Sequence, residues 1–536
     1  MLQRDTDRIS RRSHVNLATG VWNYFNRTPN ATALATAARA LSYRELGETA
    51  AAISALLRIE GIGAGDRVVL MVGRSTEAYE ALLGAVWSGA AYVAVSLKFP
   101  EERILTILEL TKPSALVVDA EGAKYLSNRL TSAAPDVILI ADADAEWFPP
   151  ARSNQKVIQV SRDALVSEVA PPVNVDASTP AYVMFTSGST GVPKGVIQST
   201  GSVNHFLGVM QERYVFSPSD RVAQPAELNF DLSVFNMFMA WNAGASVFPV
   251  PSNDAMAPGA FIRKNEITAW LSVPSVIGLM KRMSALQPGS LPTLRYSFFC
   301  GEPLQLAAVE SWRAAAPQSV IENLYGPTEA IISHHQRVET EPAVTPERSI
   351  VAIGKPLAGL SARIVGDALE MLPPTQHGEI AISGPQLAIG YLGMPELSRE
   401  RFPLIDRTRW YLTGDLGYMD NAGVFHFLGR VDNQVKVRGY RVELEEVEAI
   451  LRRVTQTEIV AAVAWPVSHG AADGIVCFVA GVEMSPAEIR DGLRDWLPEY
   501  MVPSSVISLE SLPLTANRKV DRKALIMLLE RGVTAQ

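Results

Sequence analysis

Thr186-Ser187-Gly188-Ser189-Thr190-Gly191-Val192-Pro193-Lys194-Gly195 follows directly on the apolar run Ala181-Tyr182-Val183-Met184-Phe185. Such a run reads as a buried strand, and the segment after it as a phosphate-holding loop. Small residues let backbone N–H groups come close to phosphate oxygens, the hydroxyls add donors, and Lys194 supplies positive charge. The spacing fails Gly-x-x-x-x-Gly-Lys-Ser/Thr, and Pro193 stands just before the lysine, so this is not a Walker A motif. A flexible surface loop is the alternative for any Gly/Ser/Thr run, and the ordered Pro-Lys-Gly ending argues against it.

Outward from the loop, short β-branched runs alternate with helix-like stretches. Val68 to Val72, Tyr92 to Val95, Ala115 to Val118, Val137 to Ile140, Ser246 to Val250 and Tyr296 to Phe299 read as strands, and Tyr43 to Leu57 as a helix. This rhythm predicts α/β layers with several sheets. Asp142 to Pro180 is richer in Pro, Asp and Ser and reads as a long connection. Near Gly429 to Asp432 the pattern changes again. Beyond lie a charged helix (Glu443 to Val454), strands at Ile459 to Trp465 and Ile475 to Val479, and a helix from Ser485 to Leu497. The expected architecture is a large N-terminal multi-sheet α/β domain, residues 1–431, and a small α+β C-terminal domain, residues 432–536.

Composition narrows the function classes. At 536 residues the chain exceeds what one core usually organises, and 48% hydrophobic with 19% charged residues is ordinary globular usage. The formal charge of -8 and the lack of a basic run disfavour nucleic acid. The two cysteines, Cys300 and Cys477, form no zinc or disulfide pattern and fit a reducing cytoplasm. A polar N-terminus and the absence of an apolar run of about 20 residues point away from export and from a membrane.

Further motifs occur in order: Leu41 to Leu46, Ser88-Gly89-Ala90-Ala91-Tyr92-Val93, Asn323-Leu324-Tyr325-Gly326-Pro327-Thr328-Glu329, and Gly378-Glu379-Ile380 through Gly390-Tyr391-Leu392. After them come Tyr411-Leu412-Thr413-Gly414-Asp415, Gly429-Arg430-Val431-Asp432 through Arg438-Gly439, and Asn517-Arg518-Lys519-Val520-Asp521. With the phosphate loop, this series resembles the adenylate-forming superfamily of acyl-CoA synthetases, luciferases and nonribosomal peptide synthetase adenylation domains. The resemblance spans nearly the whole chain and implies ATP and Mg²⁺ as cofactors.

By that resemblance the nucleotide would meet Thr186, Ser187, Gly188, Ser189, Thr190, Gly191, Gly301, Glu302, Asn323, Tyr325 and Gly326. Tyr325 would stack on adenine. Thr328 and Glu329 would meet phosphate and magnesium, for which a carboxylate is a suitable hard ligand. Asp415 offers two acceptors to the ribose hydroxyls, and Arg430 adds contacts there. Lys519 would reach the substrate carboxylate and the α-phosphate and, with Lys194, Thr328 and Glu329, form the catalytic set. Asp432 takes the family's hinge position, which implies that the small domain is mobile and rotates between the two half-reactions. Outside this context a turn at Gly-Pro, a cap at Asp415, and solvated charges at Arg430 and Lys519 remain the plain readings.

Phe230-Asp231-Leu232-Ser233-Val234-Phe235 resembles the segment in which amino-acid-activating members pair an aspartate with the substrate ammonium. A buried unpaired carboxylate is costly, so an aspartate here makes sense if a cation meets it; a helix cap is the alternative. The same register lists Phe230, Asp231, Leu232, Phe235, Ser272, Phe298, Cys300, Leu324, Ile332 and Ser333 as the amino-acid pocket. Beyond Asp231 it is uncharged, so a small, mostly apolar amino acid such as alanine or proline is expected. Departures are Ser272, Cys300 and Ser333 from a prolyl-type pocket, and Thr200 where many relatives have histidine. With 17 residues after Lys519 and no carrier segment, the acceptor is expected to be the phosphopantetheine thiol of a separate carrier protein. An acyl-CoA or aryl-CoA ligase is the first alternative. A nucleotide-binding pseudoenzyme is the second.

Overall fold

Alternate residues of the strand Arg67–Met71 face different cores. Val68 and Leu70 enter the largest one, whereas Val69 and Met71 point to the opposite side of the sheet. Period-2 side-chain direction in a sheet covered on both faces requires this, and it explains the strand's unbroken apolar run. The computed structural model describes residues 16–142, 152–160, 169–188, 191–251, 254–432, 434–468, 471–514 and 520–532, and every structural statement below concerns those residues.

Two large sheets lie against one another through shared helices. One has eight strands and includes Arg67–Met71, Ala91–Val95, Ala115–Val118, Val137–Ile140, Pro180–Thr186 and Lys194–Ser199. The other has nine, among them Arg221–Gln224, Ser246–Pro249, Ala269–Ser272, Tyr296–Phe299 and Val320–Tyr325. The main core joins residues of both sheets, such as Tyr92 and Met184 from the first and Val247, Leu271 and Phe298 from the second. Helices Tyr43–Ile59, Thr76–Trp87, Thr200–Arg213 and Leu232–Ala243 contribute to it. Ser42 and Glu45 start the first of these with a reciprocal capping box. A smaller sheet built on Ser361–Val365, Gly378–Ser383 and Thr408–Met419 has its own core.

From residue 435 onward the chain organises separate cores. Val460 and Ala462 face helices Leu444–Thr455 and Pro486–Arg494, while Ala461 and Val463 face the side that carries helix Arg522–Glu530. The chain therefore has the expected fold class, a large multi-sheet α/β part followed by a small α+β part. In two places it departs from the sequence expectation. The connection before Pro180 contains an edge strand, Lys156–Gln159, paired in parallel with Val137–Ile140. The helix expected from Ser485 to Leu497 ends at Arg494, ahead of Pro498, which disfavours helical backbone in the residue before it. No helix among the described residues is long and apolar enough to cross a membrane.

Candidate active site

The strands Pro180–Thr186 and Lys194–Ser199 form an antiparallel hairpin with Thr186 opposite Lys194, so the loop between them leaves the end of the eight-stranded sheet. The strand ends Cys300, Asn323 and Tyr325 come from the neighbouring sheet. Between the two sheets lies a cavity of about 570 Å³ whose wall includes Thr186, Ser187, Gly301, Glu302, Asn323, Tyr325, Gly326 and Thr328. Asp415, Arg430 and Asp432 close it on the side of the third sheet. The small C-terminal part supplies the remainder, including Lys436, Gly439, Tyr440 and Arg441.

Around Arg430 the charges are tightly paired. Arg430 donates to Asp415 at 2.6 Å and grips both oxygens of Asp432 at 2.7 Å, and the Tyr325 hydroxyl donates to the other oxygen of Asp415. Asn323 donates to the carbonyls of Val351 and Ala352. The Thr186 hydroxyl is buried without a hydrogen-bond partner. A buried hydroxyl that leaves its bonding capacity unused is an available donor for whatever enters the cavity.

Asp231 and Leu232 stand at the inner end with Phe230, Ser272, Cys300 and Leu324. Helix Leu232–Ala243 begins right after Asp231, which makes no side-chain capping bond to the later N–H groups of its first turn, although the Leu232 N–H hydrogen-bonds the carboxylate. Burial pushes its carboxyl up, against the pull of Lys436 and a hydrogen bond with Thr328. Burial, and then Asp231, push the Cys300 thiol up to about 12, so it stays protonated and lines the wall as a small neutral group. Four of the ten expected pocket residues lie elsewhere. Phe235 and Phe298 are fully buried and meet edge to face at 5.0 Å, within a set of rings that includes Phe206, Tyr214 and Phe216. Ile332 is in the same core, and Ser333 bonds to the Tyr325 carbonyl and His334. None of the four borders the cavity.

Gly188, Lys194 and Glu329 lie beyond the cavity, covered by the small C-terminal part. Lys194 Nζ is 3.0 Å from Glu443, and the Gly188 N–H donates to Glu446 at 2.9 Å. Ser187 Oγ donates to the Arg441 carbonyl and accepts from the Glu443 N–H, both at 3.0 Å. Arg441 reaches Glu329 at 3.0 Å, and the Tyr391 hydroxyl donates to the same carboxylate. Burial works to raise Glu329, but Arg441 and then Lys194 outweigh it, and the carboxyl ends at about 2. At neutral pH it is an ionised, fully buried oxygen donor, suited to a hard cation. Gly191 has φ +82°, and a Cβ there would meet Ala449 at 2.9 Å, so the loop touches helix Leu444–Thr455 directly. Ser189, Thr190 and Lys519 lie outside the described residues.

Sequence reasoning missed Arg441, Glu443, Glu446, Lys436 and Tyr391. Arg441 and Glu443 did leave a signal: they alternate with buried Val442 along the strand Tyr440–Glu443, placing two opposite charges on one face.

The fold and cavity define an adenylate-forming enzyme of two parts, and the comparisons with known proteins agree. The chain belongs to the AMP-binding enzyme family, whose model matches residues 21–392 and whose C-terminal domain model matches residues 446–519. It is 34% identical over 507 residues to tyrocidine synthase 2 of Brevibacillus parabrevis, covering 93% of this chain and 13% of that protein. To a dimodular nonribosomal peptide synthase of Bacillus subtilis (strain 168) it is 32% identical over 504 residues, 90% of this chain and 20% of the relative. The chain thus spans a minor part of these relatives. Among solved structures it resembles the Vibrio cholerae adenylation domain AlmE, solved with glycyl-adenosine-5'-phosphate. That similarity has a TM-score of 0.86 and 31% identity over 96% of this chain and 98% of the other.

Proposed function

We propose that this protein uses ATP to convert a small amino acid into its aminoacyl adenylate and then passes the acyl group to the phosphopantetheine thiol of a separate carrier protein. The observation that carries the amino-acid reading is Asp231, a half-buried carboxylate lining a cavity beside the uncharged Leu232, Ser272, Cys300 and Leu324. An ammonium group sets a full positive charge beside this carboxylate, which otherwise has the pull of Lys436 and a hydrogen bond with Thr328, whereas a fatty or aryl acid adds none. The rings of Phe235 and Phe298 are packed against one another behind that wall, which limits room for a side chain. The glycyl adenylate held by AlmE is a ligand of that size.

In this reading one oxygen of the amino acid's carboxylate attacks the α-phosphorus of ATP and pyrophosphate leaves. The carrier thiolate then attacks the acyl carbon and AMP leaves. Thr186 to Gly191 and Lys194 hold the phosphates. Tyr325, Asn323, Gly326, Gly301 and Glu302 line the nucleotide's place, and Asp415 and Arg430 take the ribose. Lys519 and Thr328 serve the reacting carboxylate and α-phosphate. Magnesium would sit on Glu329 and on phosphate oxygens, neutralising the charge of the leaving pyrophosphate. We assign residues 1–431 and 432–536 as the two domains, with Asp432, clamped by Arg430, at the junction.

An ATP–pyrophosphate exchange panel over glycine, alanine, proline, β-alanine and D-alanine, with fatty and aryl acids alongside, tests this reading. Exchange driven by a small amino acid is the expected result, and exchange only with acids lacking an amine contradicts it. The pH dependence is a second test. Burial raises the Asp231 pKa, and an ammonium needs the ionised carboxylate, so binding releases the proton that Asp231 takes up in acid. Below the raised pKa the KM for the amino acid is expected to climb by about tenfold per pH unit, with no matching change in the KM for ATP. A pH profile identical in Asp231→Asn would remove this group from the pocket.

A further inference from the structure

Val344–Thr345 pairs antiparallel with Ile350–Val351, and the turn between them brings Arg348 to the cavity wall. Ser349 closes that turn with φ +52°, a conformation few non-glycine residues adopt. The guanidinium of Arg348 lies over the ring of Phe427, 5.1 Å from its centre, and its Nη1 is buried without a hydrogen-bond partner. Burial pulls its pKa down, and no neighbouring carboxylate pulls it back up. The other side-chain donors of this wall are engaged. Asn323 donates to the carbonyls of Val351 and Ala352, the Tyr325 hydroxyl to Asp415, and Arg430 to Asp415 and Asp432. We infer that Arg348 reads the base of the nucleotide, donating to N3, the purine ring acceptor that lies beside the ribose. The inference rests on the adenylating function proposed above.

The chemistry of the base selects the atom. Adenine has three ring acceptors, N1, N3 and N7. N1 and N7 flank the exocyclic amine, whose N–H groups would oppose those of a guanidinium laid along that edge, whereas N3 stands without a neighbouring donor on the edge next to the sugar. Arg348 is seated on the sugar's side. Phe427, the ring beneath it, pairs with Gly417 on the same two strands that set Asp415 opposite Arg430, the residues assigned to the ribose. Ile350, Val351 and Ile353 supply apolar wall beside it, suited to the flat face of a base. Stacking on an aromatic ring tolerates the charge without a carboxylate and keeps the planar fork in one orientation, so little freedom is lost when a ligand accepts from it. The two arginines therefore differ in task. Arg430 is neutralised by Asp415 and Asp432 and shapes its corner, while Arg348 keeps its donors for the ligand. Guanine carries N3 as well, so this contact recognises a purine rather than telling adenine from guanine.

The test measures AMP binding by calorimetry on the full chain and on R348Q and R348K, with circular dichroism confirming that each is folded. AMP carries base and ribose without the β- and γ-phosphates, which keeps most of the phosphate loop out of the comparison. R348Q is expected to weaken AMP by about tenfold, the low end for a hydrogen bond to a charged group, and R348K, which keeps the charge without the fork, to fall between the two. The analogue 3-deaza-AMP, with a C–H in place of N3, should bind the unmodified enzyme about tenfold more weakly than AMP does and bind R348Q as AMP does, whereas 7-deaza-AMP should lose the same factor on both proteins. In exchange assays the KM for ATP should rise about tenfold in R348Q, with kcat and the KM for the amino acid within about twofold. An AMP affinity unchanged in R348Q, or a 3-deaza penalty of equal size with and without Arg348, overturns the inference. If R348Q fails to fold, R348K decides, and a 3-deaza penalty undiminished there overturns it. If the unmodified enzyme shows no exchange with any amino acid, the proposed function fails, and AMP binding still decides the role of Arg348.

Discussion

Lys519→Ala is expected to abolish amino-acid-dependent ATP–pyrophosphate exchange, by about 10²–10³-fold, the range for removing one group that stabilises developing charge. Transfer of the acyl group from a preformed adenylate should stay close to the unmodified rate. In the first half-reaction two anions meet, and a cation must offset the charge that gathers on the α-phosphate. In the second a thiolate attacks an already activated acyl carbon. Gly439, Tyr440 and Lys436 of the small domain face the cavity, whereas none of the residues on either side of Lys519, Leu514 or Val520, borders it. Those two pair with each other, and Val520 packs at the core beside helix Arg522–Glu530. Single-turnover measurement of the two steps separates them, and equal loss of both contradicts a role limited to adenylation.

Asp231→Ala should raise the KM for the amino acid by about 10²–10³-fold, because removing one partner of a buried ion pair costs about 3–5 kcal/mol. Binding of a non-hydrolysable ATP analogue should change by less than about twofold, since the nucleotide contacts proposed above lie at Tyr325, Asp415 and the phosphate loop. Lys436 adds a specific expectation. Its ammonium faces the same cavity and pulls on Asp231, and burial followed by Arg441 lowers its own pKa. Without Asp231 that repulsion toward an incoming ammonium is no longer balanced, which places the effect on amino-acid affinity rather than on turnover. An unchanged KM in the variant would take Asp231 out of the pocket.

The strands were legible because their signal is local. Val68 to Met71, Ala115 to Val118 and Val137 to Ile140 are short β-branched or apolar runs, and each lies in the eight-stranded sheet. Lys156–Gln159 was not legible: it is an edge strand with a charged and a polar end inside a segment rich in turn residues, and pairing with Val137–Ile140 makes it a strand. Asp231, Leu232, Ser272, Cys300 and Leu324 do line the cavity, but Phe235 and Phe298 do not. Helix Leu232–Ala243 is apolar almost all round, so its pattern does not say which face meets the cavity. Strand Tyr296–Phe299 is buried on both faces, with Phe298 in one core and Phe299 in the other, so alternation alone cannot choose the ring that faces substrate.

By itself the sequence determined the fold class and the strands on either side of the Ser187 to Pro193 loop, since the signal of each element is a local run of residue types. Only the tertiary structure decided what the loop holds. Lys194 and Glu443 are 249 positions apart, Gly188 and Glu446 258, and Glu329 and Arg441 112. No local period links such pairs. They meet because the part of the chain from residue 435 onward, which has cores of its own, packs against the rest at a buried surface, where charge left unpaired is costly and a carboxylate from one part satisfies the donors of the other.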